Sequence, residues 1–81
     1  MRVAKALEWI PIESSVFTAA GYRSDRRQLY LRFHGGAIYR YFDFPLQQFR
    51  ELLASGSKGT YFAHNIRNQF RYEQVHRRAA A

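Results

Sequence analysis

The sequence predicts an α+β domain in which a three-stranded antiparallel β-meander is followed by two helices packed on one face. Two patterns indicate this fold. Residues 14–42 carry strand-forming and alternating apolar side chains interrupted by two turn segments, and residues 45–66 carry apolar side chains at helical spacing. Because the chain has 81 residues, it has room for one small domain with a thin core.

We divide the chain into three segments. Residues 1–13 are predicted to be an irregular N-terminal arm, because Pro11 breaks a helix or a central strand, and this arm could pack Trp9 onto the domain. Residues 14–75 are predicted to form the folded domain. Residues 76–81 (HRRAAA) are predicted to be a frayed basic tail.

The first two strands of the meander enclose a charged turn. Residues 14–22 (SSVFTAAGY) favour a strand, residues 23–27 (RSDRR) form the turn, and residues 28–36 (QLYLRFHGG) alternate between apolar and polar side chains. This alternation is typical of a half-buried strand with a core face and an outer face. The core face carries Leu29, Leu31 and Phe33, and the outer face carries Gln28, Tyr30, Arg32 and His34.

The hairpin to the returning strand (AIYRYF, residues 37–42) has two possible registers. A two-residue turn at Gly35 and Gly36 would place Arg40 in the core opposite Leu31. The buried guanidinium would have no visible partner there, which is costly.

A three-residue loop at residues 34–36, with Gly36 left-handed, avoids that cost, and we favour it. It makes Tyr39 and Tyr41 core residues rather than a platform on which bases stack. The facing pairs are then Phe33 with Ala37, Leu31 with Tyr39 and Leu29 with Tyr41, while Arg40 lies beside Tyr30 on the outer face.

Two helices are predicted after the meander. Pro45 suits a first helical position, and residues 45–55 carry an apolar stripe of Leu46, Phe49, Leu52 and Leu53. Ser57 is predicted to cap a second, shorter helix that continues to about Ile66, with Phe62, Ala63 and Ile66 on its apolar side. Residues 70–75 form either a short strand or an extended tail.

Positive charge is the main functional feature of the composition. The formal net charge is +7, and of the 13 basic residues Lys5 and Lys58 are the two lysines, which leaves 11 arginines. Arginine makes planar, bidentate contacts to phosphate and stacks on flat rings. A small domain of this kind is expected to attract nucleic acid or another polyanion.

Several other classes of protein are disfavoured. The absence of cysteine excludes a disulfide framework, a cysteine zinc site and a thiol nucleophile. The three histidines (34, 64 and 76) lack ligand spacing and the six carboxylates are not paired, so we expect no metal, no cofactor and no catalysis. No apolar run approaches the length of a membrane span and no signal peptide follows Met1, so we expect a cytoplasmic protein with no membrane partner.

Short motifs follow one another in a fixed order along residues 14–75. They are Ser14-Ser15, Gly21-Tyr22, the strand ending at Phe33, Tyr39-Arg40-Tyr41, Pro45, Ser57-Lys58-Gly59, Tyr61-Phe62 and Asn65-Ile66-Arg67. This set resembles the KTSC domain, a short domain named for its occurrence at the C-terminus of some lysyl-tRNA synthetases and also found as a free-standing bacterial protein. Phe70 departs from the pattern, because family members commonly carry tyrosine there.

The resemblance implies this fold and an RNA-binding role, which attachment to a synthetase suggests. Together with the charge, it predicts a small nucleic-acid-binding module, with RNA favoured over DNA, that contacts mainly phosphates. The candidate contacts are Arg23, Arg26, Arg27, Tyr30, Arg32, Arg40, Lys58, Arg67 and Arg71. The motif residues given a structural role are Tyr39, Tyr41, Pro45, Ser57, Gly59, Phe62, Asn65 and Ile66.

Each cluster of candidates also has a purely structural interpretation. Residues 57–60 (SKGT) form either a phosphate seat at a helix start or a simple capped turn, and the turn at residues 23–27 either contacts phosphate or is merely solvated. The outer face, with Ile38 and Phe42 beside its arginines, either binds RNA or seals a homodimer. The alternative function is therefore a protein-interaction module, a homodimer or the receptor of an acidic partner, with no nucleic-acid role.

Overall fold

The computed structural model describes residues 7–76, and residues 1–6 of the predicted arm and 77–81 of the predicted tail lie outside that range. Its elements are β1 (Ile10–Pro11), β2 (Phe17–Arg23), β3 (Gln28–Phe33), β4 (Ile38–Tyr41), α1 (Leu46–Ala54), α2 (Lys58–Asn65) and β5 (Tyr72–His76). One antiparallel sheet contains all five strands in the order β1-β2-β3-β4-β5. The predicted α+β class is confirmed, but the sheet has five strands where the sequence predicted three.

The two additional strands, β1 and β5, form the edges of the sheet. β1 has two residues, Ile10 opposite Ala20 and Pro11 opposite Ala19, which is too short for an alternating pattern to appear. β5 pairs with β4 and is the strand that the sequence left open as an alternative to an extended tail. β1 and β5 form because β2 and β4 present backbone N–H and C=O groups with which they can pair. Local sequence alone therefore did not identify them.

The β3–β4 hairpin adopts the three-residue register that the sequence favoured. Leu29 lies opposite Tyr41 and Leu31 opposite Tyr39, while Arg40 lies opposite Tyr30. The Phe33 N–H donates to the Ala37 carbonyl at 2.8 Å, and the Gly36 N–H donates back to the Phe33 carbonyl at 3.0 Å. Gly35 and Gly36 have φ angles of 98° and 101°, a backbone conformation that residues other than glycine rarely adopt.

The core lies between the sheet and the two helices, and Phe62 on α2 is at its centre. The Phe62 ring makes edge-to-face contacts with Phe17, Phe33 and Tyr41 at centroid distances of 5.8, 5.6 and 6.2 Å. Tyr41 is 4% exposed, which confirms it as a core residue, whereas Tyr39 is half-buried and packs against the edge of the core. The largest fully buried side chains are Phe17, Leu29, Leu31, Phe44, Leu52 and Ile66.

The helix ends differ slightly from their predicted positions. Pro45 is the N-cap of α1, with extended backbone, rather than its first helical residue. Leu46, which the predicted stripe placed inward, is 39% exposed, while Phe49 and Leu52 are buried. Ser57 is confirmed as the N-cap of α2, since its hydroxyl accepts the Thr60 N–H.

The segment before β1 lies across the side of the sheet that faces away from the helices. A Cβ built on Gly21 would lie 3.0 Å from Leu7 Cγ and 3.1 Å from the Glu8 carbonyl oxygen, so glycine is what allows this close approach. Ile12, the residue after β1, is buried in the core. Within residues 7–76, neither helix is long and apolar enough to cross a membrane.

Candidate nucleic-acid interface

The two faces of the sheet have different surroundings. The alternation that directs Leu29, Leu31 and Tyr41 towards the helices directs their strand neighbours to the opposite side. We call that side the outer face, and it is lined by Trp9, Tyr30, Arg32, Arg40, Phe42, Arg71 and Glu73. Neither α1 nor α2 packs against it, and the segment before β1 covers part of it beside Gly21.

Arg32 packs against the indole ring of Trp9. Its Cζ lies 4.6 Å from the Trp9 ring centroid, within the range of a cation–π contact. The register explains the pairing: Arg32 lies opposite Ala19, and Ala19 lies opposite Pro11 of β1, two residues after Trp9. The sequence allowed for Trp9 packing on the domain but not for its contact with a candidate ligand-binding arginine.

A second stack of cations and rings lies at the other end of the outer face. The Cζ of Arg71 is 4.0 Å from the Phe42 ring centroid, and the Cζ of Arg40 is 5.4 Å from the same centroid. Arg40 also lies 5.7 Å from the Tyr30 ring centroid. Phe42 is therefore flanked by two guanidinium groups rather than left as an exposed apolar side chain, which weakens the case for a dimer at this position.

Arg40 differs from its neighbours because its charge is already balanced. Its Nη2 forms a salt bridge with Glu73 Oε2, and its Nη1 donates to the Tyr30 hydroxyl at 3.1 Å. The hydrogen bond with Glu73, followed by that with Tyr30, raises the pKa of Arg40, so the group remains cationic. Among residues 7–76, Arg32 and Arg71 form no salt bridge, so these two arginines are the available cations of the outer face.

The turn between β2 and β3 carries three further candidate arginines. Arg23 donates to Asp25 at 3.3 Å, and this hydrogen bond lowers the pKa of the Asp25 carboxyl. Arg27 has a φ of 54°, and its carbonyl accepts the Phe44 N–H at 2.9 Å, which anchors the turn backbone to the body of the domain. Arg26 is exposed. By register, Arg23 shares the outer face with Tyr30, so the turn continues that face at its end.

Lys58 and Arg67 lie on the helical side of the sheet, away from the outer face. The Lys58 ammonium donates to the Ser55 carbonyl at 2.9 Å. Lys58 lines a polar cleft of about 440 Å³ between the start of α2 and Ser14. Gly59 allows this close packing, since a Cβ there would lie 3.0 Å from Val16 Cγ2. The sequence grouped all nine contacts into one set, whereas the structure separates these two from the rest.

The motif residues with predicted structural roles lie at junctions of the fold. The Asn65 side-chain amide donates to the Tyr61 carbonyl at 3.2 Å, and the Asn65 backbone carbonyl accepts from the Gln48 side chain at 3.3 Å, which ties α2 to α1. Phe70, the departure from the motif pattern, packs on Phe44 with ring centroids 4.7 Å apart. Across residues 7–76, no three His, Cys, Asp or Glu side chains are close enough together to hold a metal ion.

Comparison with known proteins gives one consistent match. The model of the KTSC domain family matches residues 13–70. A solved KTSC domain protein from Yersinia pestis has a TM-score of 0.82 and 28% identity, covering 88% of this chain and 100% of that one.

Relatives in sequence include both a short protein and two long enzymes. A protein from Tsukamurella paurometabola is 43% identical over 61 residues, which is 75% of this chain and 91% of that protein. Lysine–tRNA ligases from Nostoc sp. and Trichormus variabilis are 43% and 38% identical over 63 residues, 78% of this chain. The match spans 11% of the length of each ligase.

Proposed function

The chain belongs to the KTSC domain family, and we propose that it is a small nucleic-acid-binding module that holds RNA on its outer face, mainly through phosphate contacts. The observation that carries this proposal is the pair of available arginines, Arg32 and Arg71, each packed against an aromatic ring on the sheet face that neither α1 nor α2 covers.

The ring contacts of these arginines support phosphate binding. A guanidinium held against a flat ring has already lost part of its rotational freedom, so less entropy is lost when it meets a phosphate. Trp9 and Phe42 pack against Arg32 and Arg71, and neither guanidinium forms a salt bridge among residues 7–76, so each can make bidentate hydrogen bonds to a phosphate. The net charge of +7 adds long-range attraction for a polyanion.

The remaining candidate contacts fit the proposal to different degrees. Arg23 extends the outer face at its turn end and would meet a phosphate further along the same strand of nucleic acid. Arg26 is exposed in the same turn, whereas Arg27 lies near Tyr22 on the core side, so we assign Arg27 no contact on this face. Arg40 is neutralised by Glu73, so we assign it a positioning role beside the Tyr30 ring. Lys58 and Arg67 are outside this surface, and we do not assign them to it.

The preference for RNA rests on the relatives. Two of the similar proteins are lysine–tRNA ligases, which carry a region like this chain within a much longer sequence. A module attached to an enzyme that acts on tRNA is well placed to add affinity for RNA by raising the local concentration of the ligand.

The single tryptophan provides a direct test. Trp9 lies against Arg32, so a phosphate bound by Arg32 should change the emission of Trp9. We expect a short single-stranded RNA to shift Trp9 emission at physiological salt, with amide NMR shifts at Arg32, Arg71 and their neighbours on the outer face. We also expect the double variant Arg32→Gln/Arg71→Gln to bind more weakly and to reduce the slope of log K against log salt by about 0.7 for each phosphate that is no longer neutralised.

Lys58→Gln is the matched control, because it also removes positive charge but on the helical side of the sheet. The proposal predicts a much smaller loss of affinity for Lys58→Gln than for either of the single variants Arg32→Gln and Arg71→Gln. Equal losses for all three variants, together with diffuse amide shifts that vanish at physiological salt, would show non-specific attraction to a polyanion and would contradict the proposal.

A protein-interaction role is the second candidate, and one observation favours it. On the exposed edge of the sheet, Tyr72 and Val75 of β5 are 52% and 37% exposed. An edge strand with apolar side chains is a surface on which a second copy or an acidic partner could add a strand. Sedimentation without RNA tests this: a dimer that Val75→Lys dissociates, combined with no RNA affinity, would favour this second function.

A further inference from the structure

A second cavity lies on the helical side of the sheet, at the β5 edge. Its walls are the rings of Tyr39, Tyr41 and Tyr72, with Phe33 and Phe62 behind them, and its volume is about 250 Å³. The Tyr72 ring centroid lies 5.7 Å from that of Tyr39 and 5.6 Å from that of Tyr41. We call this cavity the tyrosine pocket. Its walls are flat aromatic rings, the surfaces on which another planar ring stacks.

Polar groups converge on the rim of the tyrosine pocket from one side. Arg67 and Asn68 line it from the turn after α2. Asn68 has a φ of 64°, which asparagine tolerates better than most residues, and the Arg67 N–H donates to the Phe62 carbonyl at 2.9 Å. The Gln69 N–H donates to the Ile66 carbonyl at 3.0 Å. The backbone that presents the guanidinium and the amide is therefore held in place before any ligand arrives.

These polar groups are available for a ligand. Within residues 7–76, the side chains of Arg67, Asn68 and the three tyrosines of the pocket neither donate nor accept a hydrogen bond. Burial raises the pKa of Tyr41, so its hydroxyl remains protonated and can donate at the floor of the cavity.

We propose that the tyrosine pocket binds a nucleotide, with the base stacked against the tyrosine rings that line the cavity and the phosphate on Arg67. The volume is below the roughly 300–1,000 Å³ of pockets for drug-sized ligands, which suits one base rather than a longer segment. The Tyr41 hydroxyl and the Asn68 amide supply the donors and acceptors that the edge of a base requires.

The charge at the rim selects between two ligands that aromatic walls can hold. A cage of tyrosines alone would also suit a quaternary ammonium group through cation–π attraction. Arg67 disfavours that ligand, because it places a like charge at the mouth of the pocket, and it favours a ligand with a negative group. The pocket lies on the opposite side of the sheet from the outer face, so this inference does not depend on RNA binding there.

The test is an amide NMR titration of the full chain with AMP, UMP, ribose 5-phosphate and choline. The proposal predicts shifts at residues 67–72 with AMP or UMP, much weaker effects with ribose 5-phosphate, and none with choline. Tyr72→Leu should weaken nucleotide binding about tenfold, the effect expected from losing one stacking ring. Arg67→Gln should weaken AMP binding until it is no tighter than the binding of adenosine, which lacks the phosphate and is titrated for this comparison.

Arg50→Gln is the matched control, since Arg50 is exposed on α1 and does not line the pocket; it should leave nucleotide affinity unchanged. Short single-stranded RNA distinguishes the source of the nucleotide when it is followed at the amides of Arg67 and Asn68, which lie outside the outer face. Tighter binding than AMP there shows an unstacked base of a polymer, and equal binding shows a free nucleotide. If neither free nucleotides nor RNA moves these amides, or if choline binds in their place, the inference is wrong, even where RNA shifts Trp9 and the proposed function stands.

Discussion

Arg40 and Glu73 lie directly opposite each other in the β4–β5 pair, and their side chains form a salt bridge on the outer face. The pair joins the last strand of the meander to a strand that follows both helices. It has two consequences: it helps hold the β5 edge, and it removes one positive charge from the surface proposed to bind RNA.

Glu73→Gln should therefore increase affinity for RNA. The substitution leaves Arg40 with its charge unbalanced beside Tyr30, which adds one cation to the outer face. We expect tighter RNA binding and a steeper salt dependence, with a loss of about 0–1 kcal/mol in the free energy of unfolding, as for a partly exposed salt bridge. RNA titrations at several salt concentrations and urea denaturation measure both effects. Glu51→Gln on α1 is the control, and an equal gain from it would indicate net charge alone.

Tyr41→Ala should destabilise the domain more than Tyr39→Ala. Tyr41 is 4% exposed and contacts Phe62, whereas Tyr39 is half-buried at the pocket edge. We expect Tyr41→Ala to cost about 3–5 kcal/mol, as for other deletions of core aromatic rings, and Tyr39→Ala clearly less. Urea denaturation monitored by circular dichroism gives both values. A Tyr41→Ala variant that unfolds like the parent would contradict its assignment to the core.

Stability should fall at alkaline pH, with Tyr41 as one cause. Burial, and secondarily the neighbouring phenols of Tyr72 and Tyr39, raises the pKa of Tyr41 above its ordinary value of 10.0. The folded protein therefore holds this proton more tightly than the unfolded chain, so the contribution to stability is complete below pH 10 and is lost as the pH rises towards the folded pKa. Urea denaturation from pH 8 to 12 should show this decline.

Tyr41→Phe isolates that contribution, because it keeps the ring and removes the titrating hydroxyl. We expect a shallower alkaline decline than in the parent chain. Tyr30→Phe, which removes a hydroxyl from the outer face, serves as the control. If the parent and Tyr41→Phe have the same slope above pH 10, another group causes the alkaline loss.

Gly21→Ala should displace the segment before β1. The added methyl group would lie 3.0 Å from Leu7 Cγ and 3.1 Å from the Glu8 carbonyl oxygen, and a backbone atom cannot rotate away. We expect a loss of about 1–3 kcal/mol on urea denaturation and a change in Trp9 emission. Gly56→Ala is the matched control, since nothing lies within 4 Å of its added methyl group. Similar behaviour of the two variants would show that the segment does not need glycine at residue 21.

The elements predicted from the sequence are those that local patterns specify. Alternation placed Leu29 and Leu31 on the core face, and the cost of burying Arg40 selected the hairpin register. Hydroxyl capping by Ser57 located the start of α2. These signals come from residues close together in the chain, where backbone geometry alone decides which side chains share a face.

Tertiary structure decided the edges of the sheet and the composition of both candidate sites. Arg40 and Glu73 are 33 positions apart, and the contact of Trp9 with Arg32 depends on a two-residue strand. Neither strand alternation nor helical spacing relates residues so far apart. The salt bridge of Arg40 with Glu73 and the contact of Arg32 with Trp9 therefore could not be predicted.

The separation of the nine predicted contacts has the same origin. The identity of these residues, which are all basic except Tyr30, carries no information about which side of the sheet each will occupy once strands and helices pack together. The sequence by itself thus determined the fold class and the hairpin register, and its composition determined the positive charge. Packing of distant segments decided which charges remain available and which rings line a pocket, because both depend on contacts that form only when β1 and β5 pair with the meander.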